Sequence, residues 1–274
     1  MKISQAFQTA IRTVSGRKAE TLKFLAVEGA LTLMCLAPLL FLTEKGPMRY
    51  CAALSAVMWL LIKIPARVNA AAAMQDSLGG GRLFSPGLAD PGNYLKKLGY
   101  GLGRLGLLAL WAAPLTAALL FAWEKYSGDT DGLTVMNMIY EFGGKDMKTG
   151  VIYLLLILAA LILLFALGAG FHSGDRHARV LGEKGLLKGK RPKVLLCRIC
   201  SLVFLVPLLI AGFAAMLRYV PLLNNVSGVI SGDVSMPSTT PTLIILAAGI
   251  ALTAPLIPLR SMVTAAYVRG LRKE

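Results

Sequence analysis

The chain is short of negative charge: 14 Asp and Glu stand against 29 Lys and Arg over 274 residues, a formal net charge of +15. It has only 2 histidines and 4 cysteines. It contains no Ser-His-Asp set, no paired catalytic acids and no His-Glu metal helix, and an enzyme needs at least one such constellation. No catalytic residue, metal ligand or cofactor site is therefore expected. Four scattered cysteines exclude a disulfide scaffold. Cys35, Cys51, Cys197 and Cys200 lie in apolar runs, where a free thiol packs as a small hydrophobe. A cleavable leader is not expected either, because no small-residue cleavage site follows the first apolar run, so that run stays as an anchor.

What the chain has in excess is apolar length. Hydrophobic residues make up 56 % and the mean hydropathy is +0.66, against about 45–50 % apolar in ordinary soluble domains. The longest run, Val151 to Phe171, carries no charge, and 14 of its 21 residues are Val, Ile, Leu or Phe. As a helix rising 1.5 Å per residue it crosses a hydrocarbon core of ~30 Å, and only a helix satisfies its own backbone there. The same reading gives six spans at about 24–43, 50–68, 102–123, 151–171, 194–217 and 241–259, in one all-α membrane domain covering 1–274. Ahead of them, Ile3, Phe7, Ile11 and Val14 recur at helical spacing, so residues 1–23 are expected as an interfacial helix lying on the membrane. After the second span the helix is expected to continue to Leu78 and stop at Gly79-Gly80-Gly81.

The positive charge falls in blocks between spans. Intervals 1–23, 62–104, 172–198 and 259–274 hold 23 of the 29 Lys and Arg, and the alternate loops hold 6. Positive residues stay on the cytoplasmic side, so both termini are predicted to be cytoplasmic. A nucleic-acid partner is not expected, because no basic face is interleaved with exposed aromatics. Anionic lipid headgroups are the natural partners of such loops.

The spans pair into three similar hairpins. Each outgoing helix carries one mid-span proline, Pro38, Pro114 or Pro207, expected to kink it. About ten residues upstream of each lies an ionisable residue: Glu28, Arg104 and Arg198. Among the returning helices, IPARVNAAAAMQDSL and IPLRSMVTAAYVRGL align Pro65 with Pro258 and Arg67 with Arg260, and ALGAGFHSGDRHARVL fits more loosely. With its amphipathic start, its post-span helix ending in glycine and the terminal PLRSMVTAAYV, the chain resembles a bacterial family of six-helix integral membrane proteins of uncharacterised function. It is also distantly similar to the membrane domain of glycerophosphodiester phosphodiesterases. The resemblance implies the fold and a cell-membrane location. The phosphodiesterase domain has no counterpart in these residues, so its activity is not implied.

Several short motifs have plainer readings. Gly101, Gly103 and Gly106 spell G-x-G-x-x-G but lack the strand a dinucleotide site requires, and Gly99 with Gly103 reads as a small-xxx-small packing pair. Cys197 and Cys200 lack further zinc ligands. His172, Asp175 and His177 are expected on a wet loop, and a calcium loop from Asp129 would end on Tyr140 rather than glutamate. Trp111 and Trp123 are candidates for interface anchors or packing. Glu28 is the one acid within a span, a functional candidate by default, with Lys63, Arg104 and Arg198 as possible ion-pair partners. The expected function is a non-enzymatic, multi-pass inner-membrane scaffold that organises lipids or docks a protein partner or a second copy. The alternative is a small transporter with a site between the proline-kinked helices.

Overall fold

The computed structural model describes residues 1–36, 38, 48–81, 93–126, 147–183, 185–223 and 238–272, and every regular element among them is helical. In chain order these are α1 (Ile3–Ser15), α2 (Lys18–Leu36), α3 (Met48–Met58), a π turn (Trp59–Lys63), α4 (Ile64–Leu78), α5 (Tyr94–Tyr126) and α6 (Met147–Phe171). There follow α7 (Asp175–Val180), α8 (Arg191–Cys200), a 3-10 turn (Ser201–Leu205), α9 (Val206–Leu217), α10 (Val220–Leu223), α11 (Thr239–Thr253), a second 3-10 turn (Ala254–Leu256) and α12 (Ile257–Leu271).

Five helical stretches among the described residues are long and apolar enough to cross a membrane: Ala53–Leu78, Tyr94–Ala122, Thr149–Val180, Arg191–Leu222 and Thr239–Leu271. That is the make-up of a multi-pass membrane protein. The span expected over 24–43 runs past α2 into residues outside the described ones. The loop readings at 129–140 also lie outside them, as does the side chain of Trp123.

Three of the long helices change pitch immediately before a proline. The π turn precedes Pro65, and the two 3-10 turns precede Pro207 and Pro258. Proline offers no N–H, so the hydrogen-bond ladder is already interrupted and the turn before it can widen or tighten. Pro114, by contrast, lies inside an unbroken α5, and Pro38 lies at the edge of the described residues.

The chain divides into two compact units. The first gathers Met1–Gly106, Gly170–Phe204 and Pro255–Glu274. Its core is α12, in which every residue from Met262 to Val268 is buried. A helix buried all round is a core helix. Around it pack α1, α4, α7 and α8. Ala6 and Ala10 on α1 are fully buried, and Phe7 stacks on Phe204 with ring centroids 5.5 Å apart. The single interfacial helix expected over 1–23 is thus two helices broken at Gly16-Arg17, and most of its apolar stripe has protein beneath it. Small alanines let α1 approach closely, and Ile11 alone of the stripe stays 48 % exposed.

α4 ends on its three glycines. Gly80 has φ +95°, and the Gly81 N–H donates to the Asp76 carbonyl at 2.8 Å. Arg17 donates to the Gly80 carbonyl at 3.3 Å and also to that of Gly81, while Arg269 donates to the Gln75 carbonyl. Two guanidinium groups thus meet the negative end of one helix. Gly80→Ala puts a side chain in the left-handed region and is expected to lower stability by about 1 kcal/mol. Gly99→Ala, at a helical position where an added Cβ meets nothing within 4 Å, is expected to be neutral or to gain up to about 1 kcal/mol. Thermal unfolding of the two variants in detergent checks this contrast. The packing expected at Gly99 and Gly103 is not found: of these α5 glycines, the one that closely meets another helix is Gly101, against Ile64.

The second unit comprises Leu107–Ala169 and Leu205–Ala254. Here α9 and α11 meet where Gly249 approaches Ala211 and the Pro207 carbonyl, and Tyr219 and Thr242 are hydrogen-bonded at 3.2 Å. Trp111 packs on Gly168 of α6. Leu110, Leu120, Leu156, Leu163, Ile210, Phe213, Leu243 and Ile244 are all exposed, an apolar surface too extensive for a protein facing water.

Candidate functional site

Glu28 on α2 meets Lys63, the last residue of the π turn. Lys63 is 3 % exposed; its Nζ donates to the Glu28 carboxylate and, at 3.1 Å, to the Glu28 backbone carbonyl. The wider π turn resets the side-chain register between α3 and α4. Of the four charges considered together in the sequence, these two pair with each other. Arg104 and Arg198 are not paired with Glu28, and they face a different set of residues.

That set belongs wholly to the first unit. Tyr100 and Arg104 sit four residues apart on one face of α5, with Arg176, His177 and Arg179 on α7, Arg198 on α8, Arg260 on α12 and Arg67 on α4. Arg104 lies within electrostatic reach of Tyr100, Asp175 and Arg67. Arg176 lies within reach of Arg104, Arg67, Tyr100 and Arg198, and Arg198 within reach of Arg260 and Arg104. Arg198 Nη1 donates to the Arg260 carbonyl at 3.2 Å. The Arg179 guanidinium lies over the Tyr100 ring, 4.4 Å from its centroid, and Arg67 lies 5.1 Å from the centroid of Trp59.

Among the described residues the one acid beside these arginines, Asp175, is already engaged. One carboxylate oxygen is 2.9 Å from His172 Nδ1, and the other is 3.6 Å from Arg191. Arg104, Arg176, Arg198 and Arg260 are each half-buried and make no ion pair among the described residues. Moreover Tyr100 OH, Arg104 Nη1, His177 Nδ1 and Arg260 Nε are buried without a hydrogen-bond partner. An unsatisfied buried group costs about 1–3 kcal/mol, and more when charged. Several in one neighbourhood, all of them next to unneutralised cations, describe a place suited to an anion.

The two histidines are not on a wet loop, as the sequence suggested. Each is 6 % exposed. The turn between α6 and α7 is drawn inward at Gly174, where an added Cβ would stand 3.0 Å from both Leu187 and Val194 and 3.2 Å from Val268. Cys197 is fully buried while Cys200 is exposed, and both thiols are free. Comparison of the chain with family models, with curated proteins and with solved structures finds no match. What the arginine neighbourhood can do is read from its own chemistry.

Arg176 and Tyr100 were not singled out in the sequence. A signal for the group was present in the hairpin alignment. Arg104 and Arg198 share one register upstream of a proline, and Arg67 and Arg260 share another just after one. Both registers recur along the sequence.

Proposed function

We propose that the chain is a non-enzymatic, multi-pass bacterial inner-membrane scaffold that organises anionic lipids at its cytoplasmic face. In this reading it has six spans in three similar hairpins with both termini inside. The observation that carries the reading is the group of unneutralised arginines on α5, α7, α8 and α12, with one already engaged acid beside it. The location of 23 of the 29 basic residues in intervals 1–23, 62–104, 172–198 and 259–274 supports the orientation. Pro65 and Pro258 each stand at the start of a 15-residue helix that follows a change of pitch, a π turn in one case and a 3-10 turn in the other, which supports the hairpin relationship. A protein partner or a second copy docking on the same face is compatible with it. Glu28, the acid a transporter would use, already has Lys63 as its partner, which favours the scaffold over a permease.

The test is reconstitution in nanodiscs of mixed zwitterionic and anionic lipid. The lipid retained by the protein is expected to be enriched several-fold in anionic species at low salt, since each basic residue near the surface contributes about 1 kcal/mol. The enrichment is expected to fall as salt shortens the screening length from ~10 Å at 0.1 M to ~3 Å at 1 M. Retained lipid matching the input mixture at low salt refutes the reading. Labelling from outside intact cells tests the topology: a cysteine at position 140 should react, and cysteines at either terminus should not.

A further inference from the structure

We infer that Tyr100, Arg104, Arg176, Arg198 and Arg260 form a built site for one phosphate group, carried either by an anionic membrane lipid or by a small phosphate from solution. The inference deepens the scaffold reading above and rests on it only for the source of the phosphate. Among the described residues, four guanidinium groups from four different helices are brought together with one carboxylate, Asp175, within reach of Arg104. Left as they are, they repel one another and hold buried donors idle. A phosphate answers both problems. Its charge offsets the cations, and its oxygens accept hydrogen bonds from Arg104 Nη1 and the Tyr100 hydroxyl, neighbouring groups buried without partners, while Arg260 Nε is a further idle donor beside Arg198. The planar guanidinium matches phosphate oxygens two at a time, which ammonium groups do not. A phosphate presents its oxygens tetrahedrally and so meets guanidinium groups arriving from different helices, whereas a carboxylate's two oxygens lie in one plane. The neighbouring carboxylate, Asp175, already serves His172 and Arg191.

The location suits a headgroup. Arg104 and Arg198 lie about ten residues from the mid-span prolines, roughly 15 Å along a helix, which is half the thickness of a hydrocarbon core. A lipid standing beside these helices, with the prolines at mid-membrane, therefore has its phosphate at that level. The aromatic face of Tyr100 under Arg179 keeps the α7 end of the group in place without consuming a counter-ion.

The experiment uses the full chain in an uncharged detergent, with two probes: inorganic phosphate, and short-chain phosphatidylglycerol in mixed micelles. Wild type is compared with Arg104→Gln/Arg176→Gln and with Lys188→Gln/Lys193→Gln, which removes the same charge from exposed side chains. Saturable binding to wild type is expected, weakened about tenfold or more in the arginine variant and about twofold or less in the lysine variant. Without probe, the arginine variant should unfold at the wild-type temperature or above, since two mutually repelling cations have gone. Its failure to fold would mean the arginines are held by structural contacts, and would overturn the site. Phosphatidylglycerol binding that survives in the arginine variant but is lost in the lysine variant overturns the site and leaves the scaffold reading standing. Inorganic phosphate bound through Arg104 and Arg176 with no lipid bound establishes the site and removes the lipid from the reading. No saturable binding of either probe overturns the site outright.

Discussion

Glu28→Leu is expected to destabilise the folded protein by about 3 kcal/mol or more, whereas Glu28→Leu combined with Lys63→Met is expected to return it close to wild type. Lys63 is 3 % exposed and sits at the end of the π turn. Its partners are the Glu28 carboxylate and the Glu28 backbone carbonyl. Removing the carboxylate leaves a buried cation with a single neutral acceptor, and breaking a buried pair from one side typically costs about 3–5 kcal/mol. Removing both charges abolishes the desolvation penalty on both sides, and an apolar pair of similar volume is often neutral or stabilising. Glu28→Gln should fall between the two, because the amide oxygen still accepts a hydrogen bond while the charge is lost. The double-mutant cycle, read as thermal unfolding in detergent, isolates the coupling. A double variant as unstable as Glu28→Leu alone would show that the effect is lost packing and not an orphaned charge. The same cycle bears on function: a site that moved ions or protons would lose flux in Glu28→Gln at unchanged expression, and a structural pair would not.

The helical, membrane-crossing character was legible because it rests on one strong signal, the length of uncharged apolar runs such as Val151 to Phe171, and burial in lipid needs no tertiary information. The stop at Gly79-Gly80-Gly81 was equally legible, since a left-handed turn at Gly80 is a local demand on the backbone. The core helix α12 was not. Residues 262–268 read Met-Val-Thr-Ala-Ala-Tyr-Val, and a helix covered on every side has no apolar stripe to betray it. α1 shows the complementary difficulty. Its stripe through Ile3, Phe7 and Val14 announced that one face is covered, but periodicity does not distinguish lipid from Phe204 and α12. The glycines misled for a related reason, because small-xxx-small spacing marks a face that permits close approach without fixing which residue meets the neighbour. Gly101 meets Ile64, one register away from the Gly99–Gly103 pair. The arginine group was half legible. Arg104 and Arg198 stood out beside prolines, whereas Arg176 looked like one more charge in a basic loop until the turn at Gly174 drew it inward.

Met262→Ala is expected to cost about 2–5 kcal/mol, and to do so as a core substitution in a segment near the end of the chain. Met262 is fully buried on α12 and belongs to a cluster with Ala6 and Ala10 of α1, Met74 of α4 and Val194 of α8. Its sulfur lies 3.9 Å from Ser77 Oγ. Truncation removes three heavy atoms from a site ringed by separate helices, which cannot all close on the cavity, so the transfer and cavity contributions both count. Met262→Leu keeps the volume and should cost less than about 1.5 kcal/mol. The informative comparison is Leu156→Ala on α6, where the side chain is 59 % exposed. That truncation leaves no cavity and should stay within about 0.5–1 kcal/mol in detergent. The ranking Met262→Ala, then Met262→Leu, then Leu156→Ala follows only if α12 is the centre of the first unit. Should Met262→Ala prove as mild as Leu156→Ala in thermal unfolding, α12 would be peripheral. The convergence of Arg67, Arg198 and Arg260, which depends on α4 and α8 packing against α12, would then lose its physical basis.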